Sequence, residues 1–345
     1  MNRSYRAEQF MKSFTTALLL IATAASAAAL PGFNVQLLGS TAGFADSIAI
    51  DSLGTIYYTT TNGGVFRFVS GASVLVAQVT TDAVGNSGLL GMSLRDDHTA
   101  VVHYTTPEQT ADVISSIDLV TGAETIIRSL PCDKDVPTRG TPSEHHGGNP
   151  TVAPDGSIFV GIGDFANAYL APDPAWNAGK IFRIRADGSF EQFARGFRNP
   201  FAMVWDAEHQ RLIAPDNGEA VDDKIHIVHE GDYGGWPDPT GAVPPIYTFP
   251  IIIAPTGIIA LSNRNPTLPR GYLLAGFVTK AIYYIPDIDA RPLPDPIPLV
   301  QGLTGPIVAL AQAPNGDIFF VTGDGVYKLV VPVGTWRTRA VRRGR

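Results

Sequence analysis

One pattern recurs along the chain and limits what it can become. A glycine-containing turn leads into a short apolar strand, a gap follows, and a second strand carries apolar and basic residues. It reads GTIYYT at Gly54 to Thr59 with GVFRF at Gly64 to Phe68, and DGSIFV at Asp155 to Val160 with GKIFRI at Gly179 to Ile184. Further copies pair Arg211 to Ala214 with Lys224 to Val228, Gly271 to Ala275 with Ala281 to Ile285, and Asn315 to Val321 with Gly325 to Leu329. A weaker sixth unit pairs Thr99 to Tyr104 with Val113 to Leu119. Six units after position 27 are spaced roughly 53 residues apart, close to the length of a four-stranded propeller blade. Glycine and proline number 35 and 27 of 345 residues, and charged residues are only 17%. Such a chain is rich in turns and poor in solvated helices. The expectation is all-β, a six-bladed β-propeller of four-stranded antiparallel blades, because radial closure protects edges that so many short strands would expose. A sandwich would space its strands by about 8–12 residues without the longer period.

The two ends read differently from this body. Arg3, Arg6 and Lys12 precede an apolar run from Thr15 to Ala24 that ends in Ala25-Ser26-Ala27. A charged region, a short apolar stretch and a small-residue cleavage site make residues 1–27 a secretory signal peptide, and the run is short of the ~20 residues of a membrane span. The reading is therefore a periplasmic or secreted protein with no stable membrane anchor, cleaved near Ala27. Residues 28–331 form one propeller domain. Residues 332–345 hold five arginines and no acid, and read as a basic, disordered tail. With a net charge of −7 the chain lacks the basic footprint of a nucleic-acid binder. Cys132 is the single cysteine, so no internal disulfide can form.

In a propeller, chemistry belongs to the loops at the channel mouth. Glu144-His145-His146-Gly147-Gly148-Asn149 brings two histidines, an acid and a glycine pair to the start of a strand. Histidine can take a proton near neutral pH, and glycine lets the backbone approach a ligand; a solvated polar loop is the plainer reading. Asp216 to Asp223 is acidic enough for calcium, which wants carboxylate and carbonyl oxygens, yet its Asn-Gly is also a hairpin turn.

Taken in order, seven segments carry a resemblance: GLLGMSL from Gly88, EHHGGNPTVAPDGSIFVGIGD from Glu144, NAGKIFRIRADGS from Asn177, GFRNPFAMVWD from Gly196, DDKIHIVHEGDYGGWP from Asp222, APTG from Ala254 and APNGDIFFVTGDGVYKL from Ala313. They resemble the soluble quinoprotein glucose/sorbosone dehydrogenases, also called aldose sugar dehydrogenases. The resemblance implies a six-bladed propeller that oxidises a sugar substrate with pyrroloquinoline quinone (PQQ) and calcium. It places His145 as the general base and Asp164 as its orienting acid. Arg198 would stabilise charge on the cofactor, with Asn199 and Asn217 as further cofactor contacts and Lys280, two residues from the family's cation position at Val278, as a compensating one. Gly218 and Glu219 would offer carbonyls to calcium and Asp223 a carboxylate.

The chain also departs from that pattern. Val278, Pro306 and Val308 stand where the family carries cations for the three carboxylates of PQQ, and Asn149 replaces an arginine. Two further readings follow: a degenerate propeller serving as a carbohydrate- or partner-binding module, and a calcium-dependent lactone hydrolase.

Overall fold

The structure is a computed structural model that describes residues 33–132, 144–262, 264–265 and 268–330. The leader, residues 1–27, and the tail, 332–345, lie outside the described residues. Strands fill six four-stranded antiparallel sheets, and the only helical turns among the described residues are Pro107–Gln109 and Ala168–Leu170. The propeller expected from the repeat is therefore the fold.

Each recognised strand pair is the second and third strand of one blade. The second strands Ile56–Thr60, Ile158–Ile162 and, apart from its first residue, Gly271–Gly276 are buried along their length. Both faces of a blade meet a neighbouring blade, so these strands read as continuous apolar runs rather than alternating ones. The first strands form the inner ring: Ala45–Ile50, Leu89–Asp96, Thr151–Val152, Val204–Asp206, Pro255–Leu261 and Ile307–Gln312.

Six apolar clusters hold the ring, one between each pair of adjacent blades. Val65 and Val102 pack between the first and second, and Val101 and Val160 between the second and third. Tyr58, Val308 and Val321 pack between the first and the last. The last blade has only three strands of its own, Ile307–Gln312, Ile318–Thr322 and Gly325–Val330. Its outer strand is Asn34–Ser40 from the other end of the chain, which pairs antiparallel from Asn34 opposite Val330 to Ser40 opposite Gly325. The ring is thus closed by hydrogen bonds between its first and last strands.

This winding sorts the loops. Segments that enter a first strand and segments that join second to third strands emerge at one end, here the upper end. His145 to Asn149, Asp164, Arg198, Asn199, Asn217 to Asp223 and Lys280 all lie there. Loops that join first to second strands emerge below, and these include Arg264 and Arg270. A cavity of about 300 Å³ runs between the inner strands, walled by Met92, Asn149, Met203, Trp205, Ile258 and Leu310. It lies beneath the polar groups of the upper end: neither His145 nor Asp164 lines it.

Candidate active site

His145 sits in the loop that enters the third blade, and its backbone is left-handed at φ 54°. Few non-glycine residues hold that conformation without surrounding contacts that fix it. Here Gly147 and Gly163 let the loop lie flat on the strand beneath. A Cβ on Gly147 would fall 1.8 Å from the Gly161 carbonyl oxygen, and one on Gly163 would fall 2.1 Å from that of His145. The His145 side chain is 11% exposed, and its Nδ1 lies 2.6 Å from Asp164 Oδ1.

Asp164 is buried at the end of the third blade's second strand, and N–H groups surround it. Its Oδ1 also accepts from the Ala166 amide at 2.9 Å, and its Oδ2 accepts from the Trp236 indole Nε1 at 2.8 Å. A carboxylate so placed can only accept, which puts the imidazole proton on Nδ1. Nε2 is left with its lone pair, and among the described residues it makes no protein hydrogen bond. The pair has the form of an oriented base, a histidine whose reactive nitrogen is set by the bond at the other.

The next blade supplies the second half of the site. Asp216 is buried and takes the amides of Arg198 and Asn199 on its two oxygens, at 3.0 and 2.7 Å. Burial pushes its carboxyl up to about 7 against those hydrogen bonds. The Asn199 side chain accepts the Gly147 amide at 3.0 Å, and the Arg198 carbonyl accepts the Asp164 amide at 2.8 Å. The Asn217 side chain donates to the carbonyls of Asn199 and Pro255 at 3.0 and 3.1 Å. His145, Asp164, Arg198, Asn199 and Asn217 therefore form one bonded network across three blades. The Arg198 guanidinium lies 5.8 Å from the Trp236 ring and donates to the Asn217 carbonyl at 3.2 Å. Among the described residues one of its five donors is used, which leaves others to meet an anion.

The acidic loop is arranged differently from the expectation for its carboxylates. Asp223 accepts three backbone amides, Gly218 on Oδ1 at 2.9 Å and both Ile253 and Ala254 on Oδ2 at 2.8 Å, and burial raises its pKa. It fastens the loop. Asp222 gives one oxygen to Lys224 at 2.9 Å while Oδ1 is buried without a hydrogen-bond partner. An orphaned carboxylate oxygen beside the Gly218 backbone is the atom here that suits a hard cation. Glu219 is exposed.

Of the cationic positions, Lys280 lies at the upper end and donates to the Thr304 carbonyl at 3.0 Å. Val278 and Pro306 are half-buried, and Val308 points into the core between the last and first blades. Asn149 is a brace: its amide donates to the Phe201 carbonyl at 2.8 Å and its side chain accepts from the Met92 amide at 3.3 Å. Arg264 and Arg270 belong to the lower end, where they donate to the Pro314 carbonyl and to Glu208.

Sequence reasoning missed Trp236 and, within the acidic run it singled out, gave no separate role to Asp216 or Asp222. Trp236 stands in the segment DYGGWP that carries part of the resemblance, but its partner Asp164 is 72 positions away, beyond any local spacing rule.

Comparison with known proteins identifies the family and the fold. The family model for glucose/sorbosone dehydrogenase matches residues 47–330. No curated protein sequence matches the chain. Among solved structures, the PQQ-bound aldose sugar dehydrogenase of Streptomyces coelicolor superimposes with a TM-score of 0.74 at 20% identity, covering 88% of this chain and 99% of that one. The soluble aldose sugar dehydrogenase of Escherichia coli, in its apo-form, gives 0.72 at 17% identity over 87% and 99%. The PQQ domain of a pyranose dehydrogenase from Coprinopsis cinerea gives 0.64 at 12% identity over 88% and 97%.

Proposed function

The chain belongs to the glucose/sorbosone dehydrogenase family, and from that premise we propose that it oxidises the anomeric carbon of an aldose, with His145 as base and PQQ and calcium as cofactors. The observation that carries the reading is the oriented His145–Asp164 pair, bonded through the backbone of Arg198 to a guanidinium with unused donors.

The residues of the upper end suit a planar polyanion in part. Arg198, backed by Trp236, and Lys280 would meet two carboxylates through charge-assisted hydrogen bonds, with Asn217 beside them. Asp222, together with the Gly218 and Glu219 carbonyls, would hold calcium, while Asp223 keeps the loop in shape. Val278, Pro306 and Val308 add no cation, so binding should be weaker than a fuller set would give. When bound, PQQ supplies the acceptor for a hydride from the sugar. The protein's own share is proton chemistry. Nε2 of His145 takes the proton of the anomeric hydroxyl, and Asp164 holds the ring and stabilises the imidazolium that forms. The Trp236 and Ala166 donors keep Asp164 an acceptor throughout.

The leader reading adds that the protein is exported to the periplasm or medium. N-terminal sequencing of the secreted product should begin near Ala28.

The test is reconstitution. Apo protein given PQQ and calcium should reduce an artificial electron acceptor when an aldose is added. Absence of both activity and cofactor binding, followed by absorbance at millimolar calcium, would instead favour the carbohydrate- or partner-binding reading that the missing cations suggest.

A further inference from the structure

Directly beneath the His145 loop, the second blade gathers a cluster that the sugar chemistry does not use. Asp112 is the second residue of the third strand of that blade, His103 lies on the second strand, Cys132 follows the fourth, and His146 is the residue after His145. All four are buried. Asp112 Oδ1 lies 3.3 Å from His103 Nε2 and 3.1 Å from His146 Nδ1, and Asp112 Oδ2 lies 3.3 Å from Cys132 Sγ. Cys132 Sγ is 4.0 Å from His146 Nδ1. We propose that Asp112, Cys132 and His146 bind one transition-metal ion of the zinc class, with His103 bracing Asp112 from outside the ligand set, and that this ion anchors the loop carrying His145.

Three observations favour a metal. The ligand atoms of Asp112, Cys132 and His146 lie within 4.8 Å of one another, and a tetrahedral ion with bonds of about 2.0–2.1 Å to nitrogen and oxygen sets its ligands about 3.3–3.4 Å apart. Asp112 and His146, 3.1 Å apart, are already that close, and Cys132, 4.0 Å from His146, would close in by about half an ångström around an ion with a sulfur bond of about 2.3 Å. Next, His103 Nδ1 faces the Gly148 carbonyl at 2.9 Å, and a carbonyl can only accept. Nδ1 is therefore the donor there, and the other ring nitrogen, Nε2, braces the Asp112 carboxylate from behind. Lastly, a nucleophilic triad would put cysteine and acid on opposite nitrogens of the histidine. Here both face Nδ1, so a Cys-His-Asp catalytic reading fails on geometry. One thiolate, one imidazole and one carboxylate suit zinc rather than calcium. The three ligands are buried and outside the sugar chemistry, so the role proposed for the ion is structural. Binding releases the thiol proton to solvent.

The consequence reaches the active site through the backbone, since His146 follows His145 and His103 holds the Gly148 carbonyl. The full chain, freed of metal by a chelator and titrated with cobalt(II), should take up one equivalent. It should show the strong visible bands of a tetrahedral ion together with a thiolate-to-cobalt charge-transfer band. Cys132 is the single cysteine, so that band assigns the site even if variants fold poorly. Cys132→Ser should lose the band and bind zinc at least tenfold more weakly. Wild-type protein that stays folded but takes up no cobalt, or an uptake that Cys132→Ser leaves unchanged, would overturn the proposal and leave a proton-filled ion-pair cluster.

Discussion

Asp164 receives three N–H groups and has nothing to give back, and that arrangement decides which nitrogen of His145 can act. His145→Ala should lower kcat by about 10²–10⁴-fold, the usual worth of a positioned base, while absorbance titration shows PQQ still bound. Asp164→Asn should also lower kcat, because an amide can donate to Nδ1 and move the proton to Nε2. Arg198→Ala should instead act on binding, weakening PQQ by about tenfold or more for a lost charge-assisted bond worth roughly 1.5–3 kcal/mol. A different test concerns Asp46, buried on the first blade's inner strand with Oδ2 unpartnered, its carboxyl pushed up to about 7 by burial and only partly relieved by Thr61. The unfolded chain gives up this proton near pH 4 and the folded one near pH 7. The contribution to stability is thus full below about pH 4 and lost as pH rises to 7. Asp46→Asn should raise Tm at pH 8 and leave it nearly unchanged at pH 4.

At the scale of elements, closure depends on Asn34–Ser40, the only strand of the sixth blade drawn from the start of the chain. A chain starting at Thr41 would leave Gly325–Val330 as an open edge with unpaired amides. It should melt at lower temperature and aggregate, as differential scanning calorimetry and light scattering would register. This strand was not legible in the sequence, because Asn34–Ser40 is largely exposed and has no neighbouring partner. The second and third strands were legible, since burial on both faces leaves a continuous apolar signature. The inner strands Thr151–Val152 and Val204–Asp206 are too short to show any period. The loops were legible by type and not by pairing. His145 and Asp164 could be picked out, whereas the indole that fixes Asp164 comes from the next blade. Likewise the acidic run from Asp216 to Asp223 spoke of calcium, but the chain folds Asp216 and Asp223 onto backbone amides and leaves Asp222 with the orphaned oxygen.

For the whole molecule, the ring brings residues far apart in sequence to one face: the third, fourth and fifth blades each lend a loop to the upper end. The scarcity of charge evident in the composition persists there, since Arg264 and Arg270 are committed to the lower end and Val308 to the core. Among the described residues, Arg198 and Lys280 remain for a trianionic cofactor. The molecule should therefore be a sugar dehydrogenase that releases PQQ readily, with dialysis lowering activity and added PQQ restoring it. The most direct measurement compares wild-type protein with His145→Ala, both saturated with PQQ and calcium as judged by absorbance, in aldose-dependent reduction of an artificial acceptor. Turnover in the wild type and its near-complete loss in the variant is the predicted result. Equal rates in the two, or none in a wild type that has demonstrably bound PQQ, would contradict it.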